Sequence, residues 1–210
     1  MSTQADPGLP PENPAAAYGF DAAYRGAPPN WDIGRPQRAF VHLEEAGRIG
    51  RRVLEVGCGT GELSLFLARR GHEVLGIDFA PSAVAQARLK ARWRRVRAHF
   101  LVWDALKLPE LGVRVDAVVD SAMLHCLGDD EQVRLVDGLA EVLDPDGYYY
   151  LLCDARPDGG PNHGASLSRG EIRKLFAGRE WDLEFVLDTV FERRASWNPA
   201  YLVGVRRTGR

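Results

Sequence analysis

Lysine is nearly missing from this chain of 210 residues: of 27 basic residues only Lys90, Lys107 and Lys174 are not arginine. The bias reads as coding-sequence base composition rather than a device of function. An excess of one charge is missing too. The 27 basic and 29 acidic side chains leave a formal net charge of -2, without the concentrated positive field that nucleic acid or an anionic membrane calls for. No apolar run approaches the roughly 18 to 20 residues that cross a bilayer, and the N-terminus has no basic region leading into an apolar stretch. The expectation is a cytoplasmic protein with neither nucleic acid nor membrane as partner. Cysteine is scarce: Cys58, Cys126 and Cys153 are odd in number and lack Cys-x-x-Cys spacing, so neither a disulfide framework nor a metal site is indicated. No internal repeat is visible.

What is present is the composition of a globular domain, 45% apolar and 27% charged, with enough length for one buried core. Residues 1–17, with Pro7, Pro10, Pro11 and Pro14, read as a flexible tail. Residues 18–50 regain aromatics (Tyr18, Phe20, Tyr24, Trp31, Phe40) and read as an N-terminal lid, with a helix over 36–48 burying Phe40, Val41 and Leu43. Residues 51–210 form the expected core. There, short apolar runs at 52–56, 73–77, 97–102, 115–120 and 148–153 alternate with helical patterns at 61–70, 81–93, 129–143 and 168–177. Such alternation predicts a parallel sheet with helices on both faces. Pro81 and Asp129 head their helices, Ser168 and Glu171 stand at capping-box spacing, and Asp144-Pro145-Asp146-Gly147 is a turn signal. Two further strands are expected near 181–190 and 200–206.

The strongest local signal is Glu55-Val56-Gly57-Cys58-Gly59-Thr60-Gly61, where a buried strand gives way to an amphipathic helix. Glycines at alternate positions let the backbone turn sharply and approach a ligand, at the carboxyl edge where open α/β sheets bind. The second strand ends at Asp78-Phe79, an acidic position suited to ribose hydroxyls. A dinucleotide fingerprint places its last glycine where Glu62 stands, and a carboxylate there is an awkward neighbour for a pyrophosphate.

An acidic residue followed by Gly-x-Gly-x-Gly resembles the first motif of the class I S-adenosylmethionine-dependent methyltransferases, over roughly residues 51–155. The resemblance implies a Rossmann-like methyltransferase fold: a mostly parallel seven-stranded sheet, helices on both faces and an antiparallel C-terminal strand. It implies S-adenosyl-L-methionine as cofactor and a small molecule as partner. Gly57, Gly59 and Gly61, with Glu55 and Cys58 in the same loop, would lie at its methionine part, and Asp78 and Phe79 at its ribose. Asp104 and Ala105 would stand near the adenine amine, and Asp120 and Ser121 would line the floor beside the sulfonium.

Pro29-Asn30-Trp31-Asp32-Ile33-Gly34-Arg35-Pro36-Gln37 is similar to the N-terminal segment of the thiopurine, thiol and halide methyltransferases, which implies that Trp31 helps cover the cofactor. Asn30 departs from that group, in which proline is often found. The segment 120–127 also resembles the group's post-strand segment, and His125 in it is the candidate general base for acceptors that carry a proton. The alternative is a packed histidine with one ring nitrogen bonded to backbone. A thiol, thiopurine or halide is the leading acceptor class, with a quinone or phenol O-methyltransferase as the alternative. A nicotinamide-dependent reductase and a non-catalytic cofactor-binding protein complete the readings; for the former the chain lacks the third glycine at the required place and any Tyr-x-x-x-Lys pair. Asn198-Pro199-Ala200-Tyr201 is similar to an element of nucleic-acid amino methyltransferases but lies far from the fourth strand. The basic run from Arg88 to Arg97 reads as a solvated helix face.

Overall fold

The computed structural model describes residues 14–161, 165–178 and 180–209; the expected tail over residues 1–13 lies outside them. The chain enters through α1 (Pro14–Ala23) and α2 (Arg38–Glu45). It continues as β1 (Arg52–Val56), α3 (Glu62–Arg69), β2 (Glu73–Asp78), α4 (Pro81–Arg94), β3 (His99–Val102) and β4 (Val115–Ser121). α5 (Asp129–Val142), β5 (Leu143–Asp154), α6 (Arg169–Leu175), β6 (Trp181–Glu192) and β7 (Trp197–Arg207) complete it. α1 begins at Pro14, four residues inside the stretch read as a tail; Pro is accepted at a helix start, where its missing N–H has no partner to lose.

All seven strands form one sheet in the order β3-β2-β1-β4-β5-β7-β6. β7 runs antiparallel to both β5 and β6, and the other pairings are parallel. Two layers cover the sheet because its strands bury both faces. Leu54, Val118, Tyr149, Leu151 and Val203 face α5 and α6 through Leu135, Leu139 and Ile172. Val53, Val119, Tyr150, Leu152 and Leu202 face α2 and α3 through Phe40, Leu43, Leu63 and Leu67. Successive residues of one strand fall in opposite clusters, as a period of two requires. Strand order reverses between β1 and β4, and a crevice opens at the carboxyl ends of the strands at such a switch point.

Three local expectations change. The turn residues Asp144 to Gly147 lie within β5, where the β4 register jumps from Val115↔Leu143 to Ala117↔Tyr148. The four residues bulge out there, with Asp146 at φ 63°. β3 starts at His99 rather than near Arg97, because α4 closes on Arg95 in the left-handed region and Val96 N still donates to Ala91 O. The basic run is only partly a solvated face. Arg88 donates to Phe100 O, Lys90 and Arg94 converge on Glu62, and Trp93 is 82% exposed.

Candidate active site

The glycine loop turns where β1 meets the crevice. Gly57, Gly59 and Gly61 have φ of 65°, 51° and 81°, values that L side chains adopt only with strain. Space is as restrictive as torsion. A Cβ on Gly57 would lie 2.7 Å from Met123, and one on Gly61 2.8 Å from the Phe100 ring. The loop is pinned by Cys58 N donating to Ile77 O at 2.9 Å and Gly59 N donating to Asp78 Oδ2 at 2.8 Å. Asp78 Oδ1 also accepts from Ala80 N at 2.8 Å. Burial raises the Asp78 carboxyl to about 6 against the pull of these two backbone donors.

Not every acidic residue singled out in the sequence reaches the cavity beside this loop. Glu55 is buried, its Oε2 accepting from Ser64 N at 2.9 Å and from the Ser64 hydroxyl, and burial pushes it to about 8. Asp120 is wholly buried and absent from the cavity wall. Its carboxylate accepts from Met123 N at 2.7 Å, Leu124 N at 3.0 Å and the Tyr149 hydroxyl at 2.8 Å. Burial raises it, too, to about 6. Asp104 opens the short 3-10 stretch Ala105–Leu111 by accepting from Leu106 N at 2.9 Å.

The cavity has a volume of about 390 Å³, and Gly57, Asp78, Phe79, Asp104, Ala105, Ser121 and Trp31 all contribute to its wall. Gly59, Gly61, Cys58 and Glu55 line a smaller recess that shares Trp31, Gly57 and Ser121 with the cavity. Cys58 is buried, and burial holds its thiol well above the ordinary range.

The N-terminal segment lines the cavity through Phe20, Tyr24 and Trp31 and is tied down from two directions. Asp21 Oδ1 accepts from Ser82 N at 2.7 Å at the start of α4, and Gln86 Nε2 donates to Tyr24 O at 2.7 Å. Trp31 Nε1 donates to the Tyr24 hydroxyl at 3.0 Å, and Phe20 packs edge-on against Trp31 and Phe79. From the β6–β7 side, Arg35 takes both carboxylate oxygens of Glu192, while Gln37 exchanges two hydrogen bonds with the Glu192 backbone. Thr60 in the glycine loop donates to Asp32 Oδ2 at 2.7 Å and accepts from Lys90 at 2.6 Å.

His125 lines the same cavity in a short 3-10 turn after β4. Its Nδ1 accepts the Asp154 backbone N–H at 2.9 Å, which leaves the ring proton on Nε2. Burial lowers its pKa to about 4, against the attraction of Asp154. Wall residues outside the sequence reading include Leu106, Glu131, Asp154, Phe191 and Arg193. Asp154 carried a usable signal, an acidic residue closing a strand as Asp78 does. Phe191 and Arg193 carried none, because the β6–β7 hairpin brings them to the site from far along the chain.

Residues 53–147 match a family model described as a methyltransferase domain. The ubiquinone biosynthesis O-methyltransferase of Azoarcus sp. (strain BH72) is 32% identical over 193 residues, 84% of this chain and 70% of its own length. The 2-heptyl-1-hydroxyquinolin-4(1H)-one methyltransferase of Mycobacteroides abscessus is 30% identical over 141 residues, 63% of this chain and 62% of its own. Other curated relatives are likewise matched over only 53–55% of their length. A structure solved for the conversion of a disulfide bond into a thioacetal group during echinomycin biosynthesis superposes with a TM-score of 0.84 at 31% identity. The superposition covers 92% of this chain and 93% of that one. Among the described residues, no helix is long and apolar enough to cross a membrane.

Proposed function

Because the chain belongs to the S-adenosylmethionine-dependent methyltransferases, we propose that it transfers a methyl group from S-adenosylmethionine to oxygen or sulfur of a planar, apolar small molecule. One observation carries the reading: three left-handed glycines, with no room for a Cβ at Gly57 or Gly61, stand beside a buried aspartate at the sheet's switch point. Backbone without side chains can approach the donor's amino-acid part, and the Asp78 carboxylate can accept from two ribose hydroxyls. Asp104 and Ala105, in the same wall as the Phe79 ring, would take the adenine. When bound, S-adenosylmethionine supplies a methyl group on a positively charged sulfur.

The chain's part in the reaction is alignment and exclusion of water, since a displacement at a methyl carbon needs the nucleophile in line with the leaving sulfur. The strapped lid serves exclusion, with Phe20, Tyr24 and Trp31 over the cavity. Trp103, Met123, Leu106, Leu127 and Phe191 give the remainder of the wall an apolar, partly aromatic character that suits a flat ring. The oxygen reading draws on relatives named for ubiquinone biosynthesis and a hydroxyquinolinone. The sulfur reading draws on the structural relative solved for the conversion of a disulfide bond into a thioacetal group, and it keeps the thiol class expected from the Trp31 segment.

Calorimetric titration tests the cofactor assignment. The protein is expected to bind S-adenosylmethionine and its demethylated product, and Asp78→Ala to weaken both by about 1.5–3 kcal/mol, the range for hydrogen bonds to a charged group. Unchanged affinity in a folded Asp78→Ala protein would remove Asp78 from the site. A wild type that takes up a nicotinamide dinucleotide and not S-adenosylmethionine would end the methyltransferase reading.

A further inference from the structure

One end of the cavity holds a polar group that the donor does not need. Asp154 closes β5, is 8% exposed and lines the cavity. Its Oδ2 accepts from Arg193 Nη2 at 2.6 Å and from Asn198 Nδ2 at 2.9 Å. Its Oδ1 is buried and has no hydrogen-bond partner among the described residues. A carboxylate oxygen in that state costs stability, and a buried polar atom without a partner marks a place where a ligand completes the bonding.

The neighbours decide what that ligand brings. His125 faces the cavity as a neutral ring whose Nδ1 lone pair is already taken by Asp154 N–H, so its remaining nitrogen can only donate. The Arg193 positive charge is matched by Asp154 itself. Among the described residues the polar end therefore holds an unpartnered acceptor, Asp154 Oδ1, and no uncompensated cation. It fits a group that donates a proton and repels one that arrives as an anion.

We propose that Asp154 Oδ1 is the base that receives the proton of the acceptor, and that the acceptors of this enzyme are neutral hydroxyls or thiols rather than preformed anions such as halide. The inference rests on the methyl-transfer reading above. The acceptor's O–H or S–H bond breaks toward Oδ1, and its electron pair stays on the acceptor atom, which bonds the methyl carbon. The pair of the broken sulfur–carbon bond stays on the donor sulfur. The sulfonium loses its positive charge and Asp154 its negative one, and the proton then passes to solvent on product release. His125 Nε2–H is left to steady the acceptor oxygen as a donor.

The test uses the full chain, wild type beside Asp154→Asn, with donor affinity read by calorimetry. Turnover is read with naphthol, naphthalenethiol, 2-heptyl-1-hydroxyquinolin-4(1H)-one and iodide. Naphthol binding without donor is followed by its fluorescence. Asp154→Asn is expected to bind S-adenosylmethionine as tightly as wild type, to lose about 100-fold or more in kcat with the proton-bearing acceptors, and to bind naphthol more weakly. A rate within a few-fold of wild type overturns the proposal. So does a wild type that binds the donor yet methylates only iodide, or none of the four. A wild type that binds no donor at all overturns the methyl-transfer reading and this inference with it. Should Asp154→Asn fail to fold, the solvent deuterium isotope effect on wild-type kcat with naphthol decides: a normal effect supports a proton in flight, and its absence overturns the base.

Discussion

Gly57→Val is expected to abolish S-adenosylmethionine binding, by about 100-fold or more, while the sheet remains folded. Two independent causes act at this position. The backbone stands at φ 65°, where a β-branched residue is a steric outlier costing about 1–3 kcal/mol. The added Cβ would also meet Met123 Cβ and Cγ at 2.7 Å. Met123 Cβ is fixed by the backbone of the turn that Asp120 holds, so the clash is relieved only by shifting that turn, and Met123 belongs to the cavity wall. The cost thus falls mainly on the site. Gly61 differs: its Cβ would meet the Phe100 ring and Ala87 inside a packed cluster, where a substitution damages the fold as well. Circular dichroism with a calorimetric titration separates the two cases. A folded Gly57→Val protein with wild-type affinity would show that the loop does not approach the ligand.

The parts of this protein legible from its sequence are those in which local pattern and tertiary role coincide. β1 spans Arg52–Val56 as its apolar run implied, because a strand buried on both faces leaves no alternation to misread. The helix starts at Pro81 and Asp129 were marked by residues whose chemistry belongs at a helix N-terminus, and Ser168 and Glu171 form the capping box that their spacing suggested. The glycine loop was legible for the same reason. Three glycines in five positions are a backbone instruction, readable without knowing what surrounds them.

What escaped the sequence depends on contacts between distant segments. Asp144 to Gly147 carry every sign of a free turn, yet they bulge within a strand because Arg52 binds both Asp116 and Asp144 and ties the bulge to the neighbouring strands. The segment before β1 was legible as rich in aromatics, but its fastening through Gln37 and Glu192 joins residues 155 apart. Arg193 and Asp154 are 39 residues apart and meet only because β7 runs antiparallel beside β5 and carries the β6–β7 turn to the strand's carboxyl end. No window along the chain contains that pair. His125 was visible as a residue type in a motif, whereas its engagement with Asp154 N–H is a fact of strand placement.

Asp120 shows how an acidic residue at the end of a strand can serve the site without lining it, and Asp120→Ala is expected to lower the unfolding free energy by about 3–5 kcal/mol. The loss comes from the groups left behind. Removing the carboxylate strands two backbone N–H groups and the Tyr149 hydroxyl in the core, each costing about 1–3 kcal/mol when unsatisfied. Against this stands relief from burying a charge, since burial raises Asp120 to about 6 and the ionised form is the costly one above that pH. The relief is partial, because the same three donors favour the ionised form. The turn that Asp120 holds is itself strained: Ala122 has φ 73°, outside the range comfortable for a residue with a Cβ. Ala122 N is bonded to Leu152 O, so the strained residue is fixed from the β5 side and the carboxylate fixes the residues after it. Asp120→Asn keeps an acceptor for only one of the two N–H groups, since Met123 N and Leu124 N bond different carboxylate oxygens, and is expected to cost about 1–3 kcal/mol. Urea unfolding of the two variants at pH 7 measures both numbers. Because Met123 and His125 hang from this turn, Asp120→Ala protein that stays folded is also expected to show a raised KM for the acceptor, with donor affinity much less affected. An Ala variant as stable as the Asn variant would mean that the three donors find other partners, and the turn would then owe its shape to Leu152 and to packing instead.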